Sequence, residues 1–143
     1  RVRARDASRS HNLVDVGLGV AQLIPLLAAV AGDGLVLAEE PEANLHPTAQ
    51  ARLVDELVLL AGISGSIASR DGPRLVMETH SEHVLQRVLQ KLEDGELKDD
   101  AVSILYTSKV GDTSTVRRVR TRRGRPIDPL IPASVDNPTM SLI

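Results

Sequence analysis

The sequence predicts an α/β layer fold with a mainly parallel sheet, and three observations predict it. Short apolar runs alternate with helical periodicity in the order strand–helix–strand–helix–strand. The first run, LVLA (35–38), has no polar position and is bounded by Gly34 and Pro41, as in a strand buried on both faces. Both leading strands run directly into polar groups, Glu39-Glu40 after the first and Glu78-Thr79-His80 after the second. Ligands of open α/β sheets collect outside the carboxyl ends of the strands, so these two clusters are expected to be neighbours on one edge.

Taken in order, residues 1–12 are polar and Arg-rich without a period. VGLGVAQLIPLLAAVAGDG (16–34) reads as a Gly-rich turn entering a helix, with Val20, Leu23, Ile24, Leu27 and Ala31 on one face. Pro25 then belongs in its first turn, and Gly32 and Gly34 stop it. Pro47 suits the first position of a helix through Ala61 that turns Leu53, Val54, Leu57 and Val58 inward. GISGSIASRDG (62–72) is a loop by composition.

PRLVMETH (73–80) is a second strand, and Thr79 with Glu82 fits a capping box for the helix behind it. That helix carries Val84, Leu85, Val88, Leu89 and Leu92 on one stripe. AVSILYTSKV (101–110) is a third strand, STVRRVRTRRGRPI (114–127) alternates like a hairpin arm, and the tail from Asp128, with three prolines, reads as irregular. The organisation is thus one domain: a core at 12–92, strands with an Arg-rich ribbon at 101–127, and a tail at 128–143.

Of the 143 residues 42% are apolar, yet Tyr106 is the only aromatic one, so the core is aliphatic and no aromatic platform exists for stacking bases. The net charge of −2 provides no global attraction to nucleic acid or membrane. Absence of Cys excludes disulfides and thiolate metal sites, fitting a cytoplasmic protein. The longest apolar run, within 20–31, is interrupted by Gln22 and Pro25 and falls short of a membrane span. The chain opens without Met or a signal peptide and reads as a piece of something longer.

Two adjacent carboxylates at a strand end suit two tasks: holding a hydrated Mg²⁺ and orienting or deprotonating a water. A histidine on the neighbouring strand end can bond a phosphate, and together these suggest nucleotide hydrolysis. The plainer alternative leaves Glu40 and Glu42 solvated, Glu39 capping a turn and Glu78 holding a loop. The four His do not show metal-ligand spacing.

LVLAEEPEANLHP (35–47) resembles the Walker B and D-loop of ABC-type ATPases, in the AAA branch related to chromosome-maintenance (SMC) and overcoming-lysogenization-defect (OLD) proteins. METHSEHVL (77–85) looks like that branch's switch-histidine segment, and NLVDVGLGVAQLIPLL (12–27) is similar to its degenerate signature segment. The three occur in the family's order over residues 12–92. The resemblance implies a P-loop NTPase-like, three-layer fold of which this chain is the C-terminal half, with ATP and Mg²⁺ as cofactors. It makes Glu39 the Walker B acid that holds the metal, where Asp is usual. Glu40 becomes the catalytic glutamate and His80 the switch histidine. Asn44 and His46 fall in the D-loop, which makes contacts across a dimer, while Gly17, Gly19 and Gln22 fall in the signature segment, which touches the partner's nucleotide. Its usual serine is replaced by Ala21, and Glu42 is left without assigned chemistry. Without the resemblance, Gly17 and Gly19 are turn glycines, and His46 and His83 serve helix ends.

No GxxxxGK[ST] occurs in the 143 residues, so the phosphate-cradling loop and its Lys are missing from them. The expected partners are therefore a Walker A-bearing N-terminal segment and a second ATPase head in a homodimer; the fragment alone should bind ATP poorly or not at all. Arg117, Arg118, Arg120, Arg122, Arg123 and Arg125 admit a solvated edge ribbon or a DNA-phosphate contact. The function so implied is ATP hydrolysis coupled to DNA repair or anti-phage nuclease activity. Its alternative is a non-catalytic dimerisation or nucleic-acid-binding module.

Overall fold

A computed structural model describes residues 17–32, 34–61, 74–123, 125–126 and 139–142. The Arg-rich opening, the 62–72 loop and the start of the signature-like segment lie outside them. The described elements are α1 (Leu18–Val30), β1 (Leu35–Glu39), α2 (Pro47–Leu60), β2 (Arg74–Thr79), α3 (Glu82–Glu93), β3 (Ile104–Val110), β4 (Thr113–Val119), β5 (Thr121–Arg122), β6 (Arg125–Pro126) and β7 (Thr139–Leu142).

The main sheet has the order β1-β2-β7-β3-β4, and β5 and β6 form a separate two-stranded ribbon. Only β1 and β2 run parallel; β7 is antiparallel to both β2 and β3, and β3 to β4. The sheet is therefore mixed, and the expectation of a mainly parallel one holds only where the helical crossover α2 forces it. The tail contributes a correction too: residues 139–142 are a central strand, not irregular chain. A Gly111-Asp112 turn, with Gly111 at φ +60, closes the β3–β4 hairpin as a two-residue loop requires.

The core gathers Val30 of α1, Leu53, Val54, Leu57 and Val58 of α2, and Val84, Val88 and Leu92 of α3. Met77, Ile104, Tyr106 and Val119 join them from the sheet. The inward faces of α2 and α3 are those the periodicity predicts. On α1 the packed face is shifted: Gly19 and Val30 are buried, whereas Val20 and Ala31 are exposed. Pro25 lies mid-helix rather than in the first turn, on the exposed side, where water can serve the carbonyl that its ring deprives of a donor. β1 is not buried on both faces either. Leu35 and Leu37 are 62% and 72% exposed, and only Val36 and Ala38 pack inward.

An ion cluster ties α2 to α3. The Asp55 carboxylate accepts from Arg87 at 2.8 Å and lies 3.0 Å from the Lys91 ammonium, which also meets Glu96 at 2.6 Å. Burial pushes the Asp55 carboxyl up, but the hydrogen bonds from Arg87 and Lys91 outweigh it and hold the group below its ordinary 3.8. Burial likewise pulls Lys91 down, and its bonds to Glu96 and Asp55 more than reverse this, raising it above 10.5. Asp55 thus contributes stability that is fully present above pH 3.8 and lost as pH falls through its lower folded value. The Lys91 contribution is present below pH 10.5 and lost as pH rises through its higher folded value. With Asp55 a third exposed, solvent screening limits its share to roughly 1 kcal/mol. In urea titrations, Asp55→Asn should be less stable than the native chain at pH 7, and the difference should shrink as pH falls below 3.8 through the lowered folded value of Asp55.

Candidate functional site

The parallel register of β1 and β2 sets Glu39 beside Glu78. One residue further, the Glu40 N–H donates to the Glu78 carbonyl at 2.9 Å, so the ladder outlasts the strand. The chain then turns sharply. Glu40 itself has φ +42 and Asn44 φ +64, left-handed conformations that Asn tolerates and a long side chain such as Glu adopts at a cost. Strain of this kind at a non-glycine residue concentrates at functional sites. Ala43 N–H to the Glu40 carbonyl (2.9 Å) and Leu45 N–H to the Glu42 carbonyl (3.1 Å) complete the turn.

The two sequence candidates for chemistry meet here. His80 Nε2 lies 2.9 Å from Glu40 Oε1, with the side chains 39% and 46% exposed, so the pair is open to a ligand from solvent. Glu39 is exposed beside Glu78, and no group of three or more metal-ligating side chains exists among the described residues. Such a sparse, solvent-open carboxylate set fits Mg²⁺, which keeps most of its water and takes one or two carboxylates plus phosphate oxygens. Glu39 would hold it.

The signature-like residues pack on the turn of their own chain. A Cβ on Gly19 would stand 2.6 Å from Leu45 Cδ2 and 2.9 Å from the Asn44 carbonyl oxygen. The backbone oxygen cannot swing aside as a leucine methyl can, so only glycine lets α1 approach this closely. Gln22 Oε1 accepts from Asn44 Nδ2 at 3.5 Å. Gly17 precedes α1 with open space around it. His46 is the N-cap of α2, its Nδ1 accepting from Thr48 N–H at 3.4 Å, the helix-end role foreseen as its alternative.

The residue that sequence reasoning missed is Glu42. It is 4% exposed, and its Oε1 accepts from the Thr79 hydroxyl and, at 3.2 Å, from the His80 N–H. Gln50 reinforces the joint: its Nε2 donates to the Leu45 carbonyl (3.1 Å) and its Oε1 accepts from the Ser81 hydroxyl (2.6 Å). Ser81, not Thr79, is the N-cap of α3, accepting from Val84 N–H at 3.1 Å, while Thr79 Oγ1 accepts from Ser81 N–H at 3.0 Å. The spacing Glu-Pro-Glu held the only signal: reversing the chain at Pro41 sends Glu40 and Glu42 to different surroundings.

Ligands of open α/β sheets collect outside the carboxyl ends of the strands, and Glu39, Glu40 and His80 all stand at those ends of β1 and β2. Residues 4–86 match the family model described as "AAA domain, putative AbiEii toxin, Type IV TA system". The chain belongs to that family of AAA-type, nucleotide-binding P-loop domains. No curated protein and no solved structure matches it. Among the described residues no helix is long and apolar enough to cross a membrane.

Proposed function

We propose that this chain supplies the hydrolytic half of an ATPase head of the SMC/OLD-like branch, completed by a Walker A-bearing segment and by a second head. The observation that carries the reading is the Glu40–His80 pair, 2.9 Å apart at the ends of adjacent parallel strands. Glu40 acts as the base that orients the attacking water and takes its proton. His80 donates from Nε2 and fixes the direction of that carboxylate. Glu39 would hold a hydrated Mg²⁺, whose charge would offset that of the phosphates. Asn44 and Gln22, joined across the turn, form the surface offered to the second head. Coupling to DNA repair or to anti-phage nuclease activity rests on the family resemblance alone. The test is ATP turnover by the intact protein against its Glu40→Gln and His80→Ala variants; unchanged turnover in both overturns the proposal.

A second reading, nucleic-acid contact, is favoured by the arginine ribbon. Arg117 and Arg118 are exposed on β4, and Arg122, Arg123 and Arg125 line an open cleft of about 600 Å³ with Glu93. Glu93 neutralises part of this charge, accepting from Arg125 at 2.8 Å. Binding through the ribbon should be sequence-independent, with log K falling by about 0.9 per log unit of salt for each phosphate engaged. No DNA binding at low salt removes this role.

A further inference from the structure

We propose that Glu42 is a positioning residue for the hydrolysis inferred above, on which this proposal rests: its buried carboxylate sets the reach of the His80 imidazole to Glu40. Three links close a ring around Pro41. The Glu40 N–H is held by the Glu78 carbonyl, Glu42 Oε1 holds the Thr79 hydroxyl and the His80 N–H, and His80 Nε2 returns to Glu40 Oε1. The middle link joins the turn to the backbone of the residue that carries the imidazole.

A carboxylate in this place is a costly choice. Burying the group removes it from water, and Oε2 has no hydrogen-bond partner among the described residues. Were filling space sufficient, an apolar side chain would do so at lower cost. What the site uses is one oxygen, Oε1, accepting two donors at the junction between the candidate base and its histidine. A role resting on that oxygen has a signature: an amide retains the acceptor, and alanine does not.

The experiment measures steady-state ATP turnover and the ¹⁵N resonance of the His80 imidazole in the intact protein labelled with ¹⁵N-histidine, assigned by His80→Gln. Glu42→Ala should lower kcat on the order of 10- to 100-fold, the cost of a misplaced catalytic group, with KM for ATP within about twofold. The His80 Nε2 signal should move towards the value of an imidazole averaging its tautomers. Glu42→Gln, which keeps the acceptor, should restore both the resonance and a kcat within about threefold of native. Native kcat and a native resonance in Glu42→Ala overturn the proposal. So does a Glu42→Gln as defective as the alanine variant, which would assign the role to the charge. If Glu42→Ala does not fold, Thr79→Val removes one of the two donors and must lower kcat and shift the resonance; native values in it overturn the proposal. Native turnover in both Glu40→Gln and His80→Ala would instead sink the hydrolysis reading, and the resonance would still report whether Glu42 sets the imidazole.

Discussion

Glu40→Gln should lower ATP turnover of the intact protein by about 10²- to 10³-fold, the share a positioned general base contributes. Glutamine matches the shape of glutamate and can still accept from His80 Nε2, so the 2.9 Å contact has a substitute. It cannot accept the proton of the attacking water. Nucleotide occupancy should therefore stay near native while the chemical step slows, and filter binding beside phosphate release separates the two. His80→Ala should cost less, roughly 10- to 100-fold, because the base remains and only its orientation loosens. Equal occupancy with native turnover in both variants would show that the pair does not serve hydrolysis.

Ser141→Pro should cost on the order of 3 kcal/mol of folding stability, from a ladder hydrogen bond left unmade and the clash of the ring. The reason is position: β7 lies between β2 and β3, with Ser141 opposite Glu78 on one side and Leu105 on the other. Both edges of a central strand are engaged, so a residue lacking an N–H breaks a ladder bond and its ring obstructs the neighbouring strand. For a chain of 143 residues the loss corresponds to a fall in Tm of roughly 10 °C. The site would suffer indirectly, since β2, which carries Glu78 and Thr79, would lose its inner neighbour. A thermal melt followed by circular dichroism decides; a transition within about two degrees of native would remove β7 from the centre of the sheet.

How much of this was legible depends on whether the signal is local. Pro47 with the apolar quartet Leu53, Val54, Leu57 and Val58 specifies α2 by its own spacing, and all four are buried. The juxtaposition of Glu39-Glu40 with Glu78-Thr79-His80 was legible because a short crossover forces adjacent parallel strands. β7 was not, because TMSL is four residues behind three prolines, and its pairing partners lie 30 or more residues away. The LVLA run misled in the other direction: an apolar strand at the edge of the described sheet looks identical to one inside it. Thr79 and Ser81 both suit a cap, and the distance to Glu82 favoured the wrong one because the strand extends through Thr79. Glu42 escaped because burial of a carboxylate is decided by donors from a distant segment, which no spacing reveals.

The left-handed backbone of Glu40 has a consequence for how such a protein ages in evolution. At φ +42 glycine or asparagine sits more comfortably than glutamate, by something on the order of 1 kcal/mol. If Glu40 is the base proposed above, folding and chemistry pull this position in opposite directions. Under the proposed mechanism, only the need for the acid would keep glutamate at a position the turn would sooner give to glycine or asparagine. A gene copy released from the need to turn over nucleotide would be free to lose this carboxylate early, and would retain a well-folded, inert binder as its descendant.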